Sequence, residues 1–162
     1  MNAAHLDEAV AQLEKANTDL EPELLTRPDA RRLLDSYVRA RRLADYGVAA
    51  LSRKLDDPGE IAQVTGTSME RARATVTTGK VMGGSEELSD ALRHGDVSLD
   101  QAAEIAKAEE SCPGAAAELV PVAQGSAFHV LRDKARKVKL EAEQHKGLAA
   151  RQRAARSARS YS

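Results

Sequence analysis

The stretch Asp57 to Lys80, DPGEIAQVTGTSMERARATVTTGK, decides how the chain is read. It holds two short helix signals separated by Thr65-Gly66-Thr67, a gap that suits the three- or four-residue turn of a helix-turn-helix unit. The first helix has a start signal. Asp57 is a capping residue, Pro58 fits the first helical position, and Glu60 stands where a capping-box acid reaches back. The second has its own: Thr67 with Glu70 three residues on forms a T-x-x-E box, and Gly66 supplies the positive φ that a sharp turn needs. Helical periodicity puts Met69, Ala72 and Val76 on one face. Arg71, Arg73, Thr77, Thr78 and Lys80 are left on another, a cationic, hydroxyl-bearing surface of the kind that reads a DNA groove. The same pattern also fits two bundle helices joined by a glycine turn. Thr65 and Thr75 are polar at positions where a helix-turn-helix usually buries an aliphatic side chain.

Outward from this stretch, composition predicts an all-α chain. The 162 residues suffice for one domain or one domain with an appendage. Apolar residues make up 42%, but 30 of them are alanine and only four, Tyr37, Tyr46, Phe128 and Tyr161, are aromatic. Such a chain builds a thin core from Leu and Val seams, with Ala allowing close helix approach. Ala, Leu, Glu, Arg and Lys all favour helix, and alternating β-branched runs are absent. Cys112 is alone, which excludes an intrachain disulfide and a thiolate zinc site. The scattered histidines His5, His94, His129 and His145 do not form a ligand set. No metal, cofactor or small-molecule substrate is expected. No apolar run reaches the roughly 18 residues of a membrane span, and MNAAHLDEAV lacks the order of a secretion signal, so the expected location is cytoplasmic.

The net charge of −1 hides an asymmetry. Residues 132 to 162 carry ten Lys or Arg against Asp133, Glu141 and Glu143, whereas the remainder carries 14 against 22. A basic arm on an acidic body can follow a phosphate backbone, or can be a solvated helix end. Residues 1–145 are therefore read as a helical domain and 146–162 as a frayed or linker-like tail. In that tail Lys146, Arg151, Arg153, Arg156 and Arg159 would touch phosphates.

Taken in order, Ala4 to Asn17 predicts an amphipathic helix with Leu6, Val10 and Leu13 in register. Thr26 caps a long helix in which Leu33, Tyr37, Ala40, Ala44, Val48, Leu51 and Leu55 form a regular seam, the expected spine of a multi-helix bundle. The seam suits packing inside the chain, the preferred reading, or against a second copy in a homodimer. Ser98 with Gln101 makes a capping box, and Ser98 to Ala102 echoes Ser68 to Ala72 to give a second helix-turn-helix-like unit. The echo replaces Arg71 and Arg73 by Gln101 and Ala103, so only the first copy is expected to meet DNA. Ser126 starts a last long, basic helix whose packing face is Phe128, Leu131, Ala135, Val138 and Ala142, with Phe128 as its anchor.

From Leu34 to Ala142 the chain resembles the helical domain that precedes HNH nuclease modules in actinobacteria (domain of unknown function 222, the thirteen-E-twelve repeat group). The resemblance rests on the long Arg/Ala/Leu helix, on Val64-Thr65-Gly66-Thr67-Ser68, on Leu88 to Leu92, and on Gly95-Asp96-Val97-Ser98-Leu99-Asp100-Gln101-Ala102. It implies a helical fold and a connection with double-stranded DNA. The His and Asn residues that an HNH module needs are not here: the only asparagines are Asn2 and Asn17. The expectation is thus a noncatalytic DNA-binding domain. The alternative is a protein-interaction or dimerisation module without DNA contact.

Overall fold

The computed structural model describes residues 2–160 and is helical throughout, without strands among those residues. Tyr161 lies outside the described residues, as does the end of the basic tail. Helix α1 spans Ala4–Asp19, a 3-10 turn Pro22–Leu24, and α2 Arg27–Leu55. Then come α3 (Pro58–Thr65), α4 (Met69–Met82), α5 (Glu86–Arg93), α6 (Leu99–Ser111), α7 (Ala115–Gly125) and α8 (Phe128–Ser160). The chain divides into two compact units between Val38 and Arg39, inside α2, and not at residue 145.

In the first unit, α1 buries none of its residues. Its Leu6, Val10 and Leu13 are all exposed. Asn17 near its end accepts a 2.8 Å hydrogen bond from the Tyr37 hydroxyl on α2. Thr26 caps α2 as expected, accepting from the Asp29 N–H at 3.3 Å.

The second unit is a multi-helix bundle centred on α6, which buries Gln101, Ala102, Ile105, Ala106 and Ala108. Leu88 and Leu92 of α5, Leu119 of α7 and Leu131 of α8 close around Ile105, each fully buried. At roughly 1.5–3 kcal/mol for each such side chain, a few leucines stabilise a core otherwise made of alanine. A smaller cluster of Ile61, Ala72 and Val76 joins α3 to α4.

Two polar anchors hold α6 and α7. Ser98 and Gln101 form the expected capping box, and Gln101 also donates from Nε2 to the Ala123 carbonyl at 3.0 Å, tying α6 to α7. The Glu109 carboxylate accepts from the Gly114 and Ala116 N–H groups at 2.9 and 2.7 Å, supplying acceptors to the start of α7.

The spine is corrected. Within the second unit the packed face of α2 is Ala49 and Ser52, with Tyr46 and Ala50 beside the core. The expected seam residues Leu51 and Leu55 are 60% and 52% exposed, and Ala44 is exposed while Val48 is half-buried. The heptad pattern picks the longest side chains, whereas the contact selects the smallest ones. Ala49 lies against Gly79 of α4, and only small residues allow backbones that close. Phe128 is also not an anchor: it is 41% exposed at the start of α8, and Leu131 one turn on takes the core position.

Candidate nucleic-acid interface

The α3–α4 pair forms where the sequence puts it. Asp57 accepts from the Glu60 N–H at 3.2 Å, Pro58 opens α3, and Gly66 closes it with φ +66°, a left-handed conformation that favours glycine. The second cap differs from the T-x-x-E expectation. Ser68, not Thr67, is the cap of α4 and accepts from the Arg71 N–H at 3.2 Å. Thr67 instead shares a 2.8 Å hydrogen bond with Thr65, whose hydroxyl lies 2.6 Å from the Ile61 carbonyl. Thr75 is buried and donates to the Arg71 carbonyl at 2.9 Å, so its hydroxyl is satisfied within the helix while Ile61, Ala72 and Val76 fill the contact. Met69, expected in that contact, is 42% exposed.

The reading face predicted on α4 is largely spoken for. Thr78 is fully buried and donates to the Ala74 carbonyl at 2.7 Å, so it faces the core and cannot reach a groove. The periodicity misplaces it because Gly79, its neighbour, lets α2 press on that side. Arg71 pairs with Asp100 of α6 at 2.7 Å, and Lys80 pairs with Asp56 at 2.8 Å. Both pairs are half-exposed and therefore worth about 0–1 kcal/mol, too little to lock the cations away. They do lower the positive potential. Arg73 is exposed and Thr77 half-buried on the wall of a groove of about 550 Å³ between α4 and α6. The other wall carries Asp100, Glu104 and Glu110 beside Lys107, and Phe128 also lines the groove. A phosphate entering this groove meets carboxylates.

A second, smaller hollow of about 220 Å³ adjoins it, with Arg71 and Asp100 shared between the two. Asp45 of α2 lines it together with Leu99 at the start of α6. Burial raises its pKa above the usual carboxylate value, helped by Asp100; the Leu99 backbone, Arg41 and Arg71 oppose the rise. Sequence reasoning missed this juxtaposition, because nothing in the local pattern of α2 says which helix its acid will meet.

The basic end is not a frayed tail. From Lys146 to Arg159 it continues α8 as regular helix, and every residue from Glu143 to Ser160 is exposed. Lys146, Arg151, Arg153, Arg156 and Arg159 all project from it, with no acidic residue between Gln144 and Ser160. Nearer the core, Arg132, Arg136 and Lys139 line a shallow trough with Lys107 and Glu104 of α6.

The aromatic and histidine side chains add little to a nucleic-acid face. Tyr46 carries the Arg93 guanidinium 5.3 Å from its ring centroid and accepts a 3.3 Å hydrogen bond from it. The hydrogen bond it donates to the tyrosine raises the Arg93 pKa. His94 ends α5 with Nδ1 2.8 Å from the Asp90 carbonyl. Cys112 is half-buried at the end of α6. Among the described residues, no three His, Cys, Asp or Glu side chains come together as a metal site, and no helix is long and apolar enough to cross a membrane. No known protein family matches the sequence, and no curated protein and no solved structure is recognisably similar to it.

Proposed function

We propose that this chain is a noncatalytic helical DNA-binding module of the type suggested by its resemblance to domains that precede HNH nucleases. Its duplex contacts come from the C-terminal half of α8 rather than from α4. The observation that supports this reading is the exposed helical stretch from Gln144 to Ser160, with five cations and no carboxylate. A polyanion rewards such a surface by releasing condensed counterions. On α4 the balance runs the other way, since Arg71 and Lys80 have acidic partners and Thr78 is buried.

Fluorescence anisotropy with a mixed-sequence duplex across a salt series tests the proposal. Wild type binds at low salt, deletion from Lys146 to the end weakens binding to all duplexes alike, and Arg71→Ala with Arg73→Ala changes affinity little. The same preparation with added magnesium leaves plasmid DNA uncut. Absence of binding at low salt refutes the reading.

A dimerisation module is the second reading, and the exposed Leu51 and Leu55 favour it. They lie four residues apart on one face of α2, where a second copy could cover them.

A further inference from the structure

Four cations of α8 recur every seventh residue: Arg132, Lys139, Lys146 and Arg153. Seven residues are nearly two helical turns, with a drift of only about 20°, so the four side chains form one row along the helix. The row advances about 10.5 Å per step and about 31 Å in all. Its first two members face the trough in which Arg136 and Lys107 add positive charge, and its last two stand on the exposed half of α8. Lys107 reaches the Glu104 carboxylate only at 3.6 Å, which leaves the trough cationic overall. Glu143, between Lys139 and Lys146, is the one carboxylate of α8 near the row. Asp133 and Glu141 fall on the opposite side, together with Lys134, Lys137 and Arg151. Along α8 the row thus sets four cations against one carboxylate, whereas the opposite side sets those three cations against two.

Resting on the DNA-binding reading above, we infer that Arg132, Lys139, Lys146 and Arg153 form a phosphate-tracking edge on which a DNA duplex lies along α8, bound through its backbone without base readout. Charge complementarity selects the occupant, because a row of point charges about 31 Å long matches a continuous polyanion and offers no pocket to a small anion. The row also joins the packed half of the helix to its free half. A duplex seated on it is therefore held against the bundle rather than on a swinging arm. Neither Arg132 nor Lys139 is among the tail residues, Lys146 to Arg159, to which the sequence reading gives phosphate contacts.

Two triple variants with the same loss of charge separate position from net charge. One is Lys139→Gln, Lys146→Gln and Arg153→Gln on the row; the other is Lys134→Gln and Lys137→Gln on the opposite side with Lys54→Gln on α2, none of them placed in a DNA contact. Glutamine is close to Lys and Arg in helix propensity, so both should keep wild-type circular dichroism. Anisotropy against two unrelated duplexes over a salt series is the readout. The row triple should flatten the log–log salt dependence by about 2.7, at 0.9 per phosphate contact, equally on both duplexes. The opposite triple should flatten it by less than about 0.9, the slope of one contact. If a triple loses helicity, Lys146→Gln alone replaces the row set and should remove about 0.9. Equal losses from both triples overturn the row while the DNA-binding reading stands, and a loss on only one duplex overturns binding without base readout. No binding by wild type at low salt removes the DNA-binding reading, and the row with it.

Discussion

Gly79 is the residue on which the α2–α4 contact turns, and its replacement by alanine gives a result that propensity alone would get wrong. A glycine inside a helix costs about 1 kcal/mol relative to alanine, so Gly79→Ala in an open helix would stabilise the chain by up to that amount. Here the new Cβ would collide with the Ala49 carbonyl oxygen and would come to 3.0 Å from the Arg53 Cβ. The first obstacle is backbone and cannot rotate away, so α2 and α4 must separate. Ala49 and Thr78, both fully buried, then lose contact. Overpacking of this kind costs typically 1–3 kcal/mol, which exceeds the propensity gain or at least cancels it. A net loss of up to about 2 kcal/mol is expected, or a fall of up to roughly 8 °C in Tm at the 2–4 °C per kcal/mol usual for a chain of this size. Gly47 on α2 is the control. No atom lies within 4 Å of its added Cβ, so Gly47→Ala should raise stability by a few tenths to about 1 kcal/mol. Urea denaturation followed by circular dichroism measures both. A Gly79→Ala protein more stable than wild type, with unchanged m-value, would refute the argument that this crossing depends on the missing side chain.

Two other predictions concern α2. Asp45 has its pKa raised by burial, so the folded chain holds a proton there that the unfolded chain has already released, and its contribution to stability declines as pH rises through the range just above 3.8. Asp45→Asn keeps the shape of the side chain without the charge. Its stability relative to wild type should therefore improve between pH 4 and pH 7; a difference that shrinks over that interval in a urea titration contradicts the assignment. Leu51→Glu with Leu55→Glu should leave the helical content intact, because both side chains already face solvent. Light scattering then decides the second reading: a wild-type dimer that these changes turn into a monomer supports it, and a monomeric wild type discards it.

The sequence by itself determined the all-α class, most helix bounds and their punctuation. Asp57 and Ser98 cap and Gly66 turns through hydrogen bonds that reach only three or four residues, and such signals are local. It also determined that the basic residues gather after Arg132, since charge is a property of composition. Which face of each helix is buried was decided only by the tertiary structure. On α2 the leucine seam is exposed and Ala49 is buried, because Gly79 on a helix 30 residues away leaves room for a backbone contact that large side chains would prevent. On α4 the cations keep their predicted side but not their freedom, because Asp100 and Asp56 arrive from elsewhere in the chain. The row on α8 stands between these cases. Its seven-residue spacing is written in the sequence, and only the packing of Leu131 and Ala135 against the core determines which way it faces.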